Sequence, residues 1–130
     1  MLGALIGDLS GSRYEWHNIK TKSFEFLDDR CRLTDDSIMT LAVAGAILES
    51  GDDFSSLGRK AVKWMQTLGR KYPDAGYGGR FSRWLISDDP KPYGSYGNGA
   101  AMRVSACAYA AGSMEEAKAL SRAVTGLMRK

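Results

Sequence analysis

The sequence has few of the residues on which metal and redox sites often depend. Its 130 residues include one histidine, His17, and two cysteines, Cys31 and Cys107, which lie far apart in the chain. Because neither cysteine has a second ligand at a metal-binding spacing, we expect buried free thiols rather than a disulfide or a metal site. Redox chemistry is therefore not expected, and His17 is predicted to be a surface or packing residue rather than a ligand.

Long apolar runs are also absent. No uninterrupted apolar stretch reaches the length of about eighteen residues that a membrane span needs. A charged fraction of 25% and a hydrophobic fraction of 44% are typical of a soluble globular protein. The apolar segment from Met1 to Gly11 is short, has no basic leader and contains Asp8, so it does not resemble a signal peptide. We therefore expect a cytoplasmic protein without a membrane partner.

Charge of one sign is not concentrated anywhere in the chain. The formal net charge is +3, and the densest group of basic residues is typical of the solvated face of one helix. These residues are Arg59, Lys60, Lys63, Arg70 and Lys71. Because they do not form a stripe of the kind that binds a phosphate backbone, nucleic acid is not a predicted partner.

The patterns that are present are helical. Thr34 and two aspartates precede an apolar run from Ile38 to Leu48, which predicts a buried helix that ends near Gly51. Asp53 opens an amphipathic segment that stops before Pro73. Its apolar residues recur at helical spacing, as Leu57, Ala61, Trp64, Met65 and Leu68.

The second half of the chain predicts further helices. Phe81 to Ile86 is a short candidate, Asn98 to Ala111 is rich in alanine, and Ser113 with Glu116 makes a capping box for a helix from Met114 to about Met128. No segment alternates as a strand would. We therefore predict about six helices in one all-α domain over residues 1–130, packed as a compact helical bundle.

Three clusters of residues offer chemistry, and the strongest is Thr34-Asp35-Asp36. Two adjacent carboxylates with a hydroxyl beside them can supply three of the oxygen ligands that magnesium prefers. The alternative is structural, because acidic residues at a helix start are favoured by the helix dipole and by the free backbone N–H groups.

The second cluster is the segment Gly97–Arg103. Its two glycines allow unusual backbone angles, and two alanines at the start of a helix would leave N–H groups open to an anionic diphosphate, to which Arg103 could add charge. The alternative is that the glycines end a loop and the alanines pack helices closely.

The third cluster is Gly7-Asp8-Leu9-Ser10-Gly11, followed by Tyr14-Glu15. A carboxylate such as Glu15 near a metal site can orient water or stabilise positive charge that develops on a sugar. Alone, Glu15 could equally be an exposed surface glutamate.

Together and in this order, the three clusters resemble the ADP-ribosylglycohydrolase family, which includes the dinitrogenase-reductase activating glycohydrolases. The resemblance covers Leu2 to about Gly126, and Ser37 stands where the family usually has threonine. It implies an all-α fold in which two magnesium ions hold the distal ribose of an ADP-ribosyl group. The implied metal ligands are Thr34, Asp35 and Asp36, and the implied catalytic carboxylates are Glu15 and Asp36. The implied substrate-binding residues are Tyr96, Gly97, Asn98, Gly99, Ala100, Ala101, Met102 and Arg103.

One part of the family pattern is missing. Family members continue into a histidine- and proline-containing segment and carry an Asp-x-Asp-Thr motif near their end, whereas no two aspartates of this sequence are separated by a single residue. The resemblance therefore implies a truncated, N-terminal half of the fold with an incomplete active site. Two functional hypotheses follow: a hydrolase that releases ADP-ribose from a modified side chain or small acceptor, or an inactive module that binds ADP-ribose and magnesium or serves a structural role.

The missing half also implies exposed apolar surface. We expect that Ile38, Leu41 and Val43 on one helix, and Leu120, Val124 and Leu127 on another, cannot all be covered by this chain. Because large exposed apolar patches usually bind a partner, the sequence predicts a symmetric homo-oligomer.

Overall fold

Six α-helices and three single-turn 3₁₀ helices are found in the computed structural model, which describes residues 1–128, and no strand occurs among those residues. The α-helices are α1 (Leu2–Gly11), α2 (Asp35–Ser50), α3 (Leu57–Lys71), α4 (Gly79–Ile86), α5 (Ser105–Ala110) and α6 (Met114–Thr125). The 3₁₀ helices are Ser12–Tyr14, Phe54–Ser56 and Asn98–Ala100. The prediction of an all-α fold is confirmed.

Helix α2 is the centre of the fold. Met39, Ala42 and Val43 have no solvent exposure, and the helix packs against α1, α3 and α5. Gly51 ends it with a positive φ of 56°, a conformation that glycine adopts at little cost. The predicted buried helix ending near Gly51 is therefore confirmed.

Helix α3 is amphipathic. Leu57, Ala61 and Met65 are fully buried on its inner face, while the basic side chains predicted to be solvated lie on its outer face. The helix ends at Lys71, before Pro73, as its sequence pattern predicts.

The alanine-rich segment Asn98–Ala111 does not form the continuous helix that its composition suggests. A 3₁₀ turn covers Asn98–Ala100, and α5 begins only at Ser105. The backbone N–H groups of Ala101 and Met102 both donate to the carbonyl of Asn98, at 2.7 and 3.3 Å. Turn residues therefore separate the glycine loop from α5, and this part of the sequence prediction was wrong.

Two helices near the ends of the chain also differ from the sequence prediction. Helix α1 lies in a segment to which the sequence analysis assigns no helix, and its three glycines lower helix propensity. Helix α6 begins as expected, where the Ser113 hydroxyl accepts from the Glu116 N–H at 3.1 Å, but it ends at Thr125 rather than near Met128.

Most of the apolar side chains expected to lack cover are buried. Ile38, Val43, Leu120 and Val124 are at most 5% exposed. Leu41, at 37%, and the half-buried Leu127 are the exceptions. Many of the exposed large apolar residues lie instead in the segment that follows α1, among them Trp16, Ile19, Phe24, Phe26, Leu27 and Leu33.

Both cysteines are free, as predicted, although only Cys107 is buried and Cys31 is half-buried. His17 is exposed. No helix in residues 1–128 combines the length and the apolar character that a membrane crossing requires.

Candidate active site

The start of α2 is held by a carboxylate from α1. Asp8 accepts hydrogen bonds from the N–H of Thr34 at 2.8 Å, from the Thr34 hydroxyl at 2.5 Å and from the N–H of Ser37 at 3.2 Å. The Thr34 hydroxyl in turn accepts from the Asp36 N–H at 3.4 Å. Helix α2 is therefore capped by two side chains, one of them 26 residues away in sequence.

Asp35 and Asp36 follow in the first turn of α2. Asp35 is half-buried, and Asp36 is exposed. Burial, followed by the charges of Asp36 and Glu15, raises the pKa of Asp35 to about 6. Burial, followed by the charges of Asp8 and Glu15, also raises the pKa of Asp36. Neither aspartate forms an ion pair within the described residues.

Glu15 lies just after the 3₁₀ turn Ser12–Tyr14 and is exposed. Its charge acts on both aspartates, so Glu15, Asp35 and Asp36 belong to one acidic region even though Glu15 is 20 residues before Asp35 in the sequence. We call these three residues with Asp8 the acidic cluster.

Arg13 fixes the backbone beside Glu15. It forms a buried ion pair with Asp28, donates to the hydroxyl of Tyr14 and donates to the carbonyl of Glu25 at 2.5 Å. These bonds tie the segment that follows Glu15 back onto the 3₁₀ turn.

Asp35 also lines a cleft of about 380 Å³. Across from α2, the cleft is bounded by α4, by Tyr93 and by the loop that the sequence singles out. That loop contributes Tyr96, Gly97, Asn98, Gly99, Ala100, Met102 and Arg103, whereas Ala101 does not line the cleft. The fold thus brings the first cluster and the second cluster to one cavity, although they are more than 60 residues apart. Asp36 and Glu15 lie in the acidic cluster beside this cavity and do not line it.

The N-terminus of α4 faces the same cleft. Gly78 is its N-cap, no side chain caps the helix, and Gly78, Gly79 and Arg80 all line the cavity. A Cβ built on Gly79 would meet no atom within 4 Å, so the space in front of this helix end is open. Free N–H groups at a helix N-terminus attract anions. The sequence predicts such an end at Ala100–Ala101, whereas the helix end on the cleft belongs to α4.

Arg103 forms a buried part of the cleft wall. It is 1% exposed, and its guanidinium donates to the carbonyl of Val124 at 3.2 Å and to the sulfur of Met128 at 3.4 Å. Its Nε–H is buried without an acceptor, and burial lowers its pKa to about 10. Arg103 therefore anchors the end of α6 while it places positive charge at the cleft without a carboxylate partner among the described residues.

The acidic cluster has the chemistry of a cation site but only part of its geometry. Its carboxylates repel one another and lack a cationic partner among residues 1–128. The Thr34 hydroxyl donates to Asp8 and accepts from Asp36, which leaves one lone pair free. Within residues 1–128, however, no three Asp, Glu, His or Cys side chains come close enough to hold one ion. Asp35, Asp36 and Thr34 alone could therefore supply only part of the oxygen shell that magnesium requires.

Several residues in or beside the cleft have no role assigned by the sequence argument. Asp8 belongs to the glycine-rich third cluster, but only its distance from Thr34 reveals that it caps α2. Gly78 and Gly79 form a paired-glycine signal directly before a helix, which is the pattern that could have identified them.

Comparisons with known proteins agree with these features. The sequence model of the family described as ADP-ribosylglycohydrolase matches residues 1–129. ADP-ribosylhydrolase ARH3 of Xenopus tropicalis is 33% identical over 131 aligned positions, which cover 80% of this chain and 36% of that protein. The chain thus spans little more than a third of the length of the curated relative it matches.

Proposed function

This chain belongs to the ADP-ribosylglycohydrolase family, and from that membership we propose that it is a hydrolase acting on the glycosidic bond between ADP-ribose and a modified side chain or small acceptor. The observation that carries the proposal is the shared cleft. Asp35 of the acidic cluster and the loop from Tyr96 to Arg103 line one cavity, whose volume of about 380 Å³ lies in the range of small-molecule sites.

The cleft can bind the diphosphate of ADP-ribose at the N-terminus of α4. The open N–H groups near Gly79, the Arg80 side chain and the buried charge of Arg103 all favour an anion there. No residue of the acidic cluster other than Asp35 lines the cavity, so negative charge is confined to one side. A diphosphate near Gly79 would direct the distal ribose of the ligand towards Asp35.

The acidic cluster is the proposed reaction centre. Thr34, Asp35 and Asp36 would hold magnesium, which when bound polarises ribose hydroxyls and a water molecule. In this proposal Glu15 would orient the attacking water and accept its proton, and its negative charge would stabilise positive charge developing at the anomeric carbon. Asp8 fixes the first turn of α2, so the two aspartates keep their positions during the reaction.

A binding module without turnover is the second candidate. It is favoured by the finding that, within residues 1–128, no three Asp, Glu, His or Cys side chains are close enough to hold one ion. Such a protein would keep the anion-binding side of the cleft and a weak magnesium site.

Calorimetric titration with ADP-ribose tests the binding step. Gly79→Asp should lower the affinity for ADP-ribose about tenfold or more, because the new carboxylate repels the diphosphate, while an acidic residue in the first turn stabilises α4 itself. Gly79→Asn is the matched control of nearly equal size and should bind much as the parent does. Equal affinity in the parent and Gly79→Asp would contradict the proposed cleft.

A product assay separates the two candidate functions. ADP-ribosylated peptide is incubated with the chain and magnesium, and released ADP-ribose is measured. If the parent releases ADP-ribose and Glu15→Gln does not, the result supports the hydrolase. Binding of ADP-ribose without any release supports the binding module.

A further inference from the structure

A second cavity lies beside the cleft and is lined by positive and hydrogen-bond-donating groups. It has a volume of about 480 Å³ and includes Arg80, Arg83, Trp84, Lys91 and Tyr93. Arg80 and Tyr93 also line the cleft, so the two cavities adjoin. No Asp or Glu side chain lines this second cavity.

Its positive charge is largely unneutralised. Arg80 and Arg83 are exposed and form no ion pair among the described residues. Arg83 uses Nε for a bond to the carbonyl of Gly79 at 3.3 Å, which leaves its terminal guanidinium nitrogens available. Lys91 pairs with Asp89 at 2.6 Å, and both side chains are about three-quarters exposed, where an ion pair contributes little.

Trp84 provides an independent observation. The residue is 4% exposed, and its indole Nε1–H is buried without an acceptor in the described residues. A buried donor without a partner costs about 1–3 kcal/mol, so an acceptor at this position would be favourable. The ring is fixed by stacking on Phe81, with centroids 5.5 Å apart.

We propose that this second cavity is a binding site for a phosphate group, separate from the cleft and held by Arg83, Lys91 and the indole N–H of Trp84. A phosphate offers several acceptor oxygens and a double negative charge, which match a wall of donors that contains no carboxylate. Because the cavity adjoins the cleft, it would give a phosphorylated ligand a second anchoring point.

The test is a titration of the chain with inorganic phosphate, followed by the indole N–H signals in ¹H–¹⁵N NMR spectra. Ionic strength is kept constant with sodium chloride. The signal of Trp84, assigned with Trp84→Phe, should shift and saturate. Trp64 is an internal control, because its indole N–H already donates to Glu49 at 2.6 Å.

Variants identify the residues that hold the phosphate. Arg83→Gln should weaken phosphate binding about tenfold, the effect of losing one charge-assisted hydrogen bond, and Lys91→Gln should weaken it less. Arg59→Gln, an exposed arginine on α3, should change nothing. If Arg83→Gln does not fold, Lys91→Gln with the parent titration still decides the question.

Asn98→Asp distinguishes this cavity from the cleft, because Asn98 lines only the cleft and the substitution adds a carboxylate there. The Trp84 shift should persist in this variant. Its loss would show that the phosphate had bound in the cleft and would overturn the proposal, as would the lack of a saturating shift in the parent. The titration needs no ADP-ribose, so failure of the proposed hydrolase function would leave its outcome unaffected.

Discussion

Asp8 and Thr34 are joined by two hydrogen bonds, one from the Thr34 N–H at 2.8 Å and one from its hydroxyl at 2.5 Å. The pair connects α1 to the first turn of α2, where Asp35 and Asp36 lie. The same contact therefore caps α2 and fixes the positions of the two aspartates in its first turn. The structural and metal-binding interpretations of Thr34-Asp35-Asp36 are compatible, because Thr34 supplies the cap and the aspartates remain free of ion pairs.

The first prediction concerns this contact. Asp8→Ala should lower the free energy of unfolding by about 2 kcal/mol, because it leaves two backbone N–H groups and one hydroxyl without their charged acceptor. Asp8→Asn keeps an acceptor oxygen and should cost less. Urea denaturation at pH 7 measures both, with the exposed Asp52→Ala as control. An equal effect of Asp8→Ala and Asp52→Ala would contradict the capping role.

The second prediction concerns the contact between Gly45 of α2 and Trp64 of α3. A Cβ on Gly45 would lie 2.8 Å from the indole ring of Trp64, and this ring cannot yield easily because Glu49 accepts its N–H at 2.6 Å. Gly45→Ala should therefore destabilise the protein by about 1–3 kcal/mol. On α1, a Cβ at Gly7 meets nothing within 4 Å, so Gly7→Ala should stabilise it by about 0.5–1 kcal/mol through helix propensity.

Thermal unfolding of the two glycine variants gives the comparison directly. The midpoint of thermal unfolding should fall in Gly45→Ala and rise in Gly7→Ala, although both substitutions add the same methyl group to a helix. A loss of stability in Gly7→Ala as large as that in Gly45→Ala would mean that the helix packing described for α2 and α3 does not decide the outcome.

The sequence predicts those parts of the fold in which local pattern and tertiary packing agree. Helix α2 has an almost wholly apolar run and is buried, and α3 has a helical spacing that matches its buried face. Helix α1 escapes prediction because its glycines argue against a helix, while its stability depends partly on the contact between Asp8 and Thr34. The prediction for the alanine-rich segment after Gly97 is wrong for the opposite reason, because its composition favours a helix but the backbone forms a turn.

The candidate site, like the fold, could be predicted from the sequence only in part. Motif order predicts that Asp35 and the loop around Asn98 matter together, but only the packing of the helices places them at one cleft. The N-terminus of α4 could not be assigned to that cleft from sequence, because Gly78 and Gly79 carry no charge or functional group. Arg103 illustrates a mixed outcome: it lines the cleft as the resemblance implies, and it also holds α6, which no motif reveals.

The third prediction concerns self-association. Trp16, Phe26 and Leu33 are 78%, 55% and 45% exposed, and apolar surface of this kind favours a partner. We expect a symmetric homo-oligomer at tens of micromolar chain, and Phe26→Ser should shift the equilibrium towards monomer. Leu48→Ser, on a side chain that is 82% exposed at the end of α2, is the control and should not. Light scattering that shows a monodisperse monomer for the parent would refute this expectation.

The last prediction concerns pH and magnesium. The pKa of Asp35 is about 6 in the folded protein and about 3.8 when unfolded, so the folded state binds more protons between these values. Stability contributed by this group is therefore lost as the pH rises from about 4 to about 6. In a buffer that contains a chelator, the free energy of unfolding of Asp35→Asn should equal that of the parent near pH 4 and exceed it at pH 7. The expected difference at pH 7 is only about 1 kcal/mol, because solvent screens a half-exposed carboxylate.

Magnesium should act in the opposite direction. A cation beside Asp35 and Asp36 favours their charged forms, so it should raise the midpoint of thermal unfolding of the parent at pH 7 more than at pH 5 and leave Asp35→Asn nearly unchanged. Asp74→Asn, an exposed aspartate outside the acidic cluster, is the control and should respond to magnesium as the parent does. Thermal scans at both pH values test whether Asp35 is a magnesium ligand. If magnesium raised the unfolding midpoint equally in the parent and in Asp35→Asn, Asp35 would be excluded as a ligand, because a bound ion stabilises the fold only through the residues that hold it.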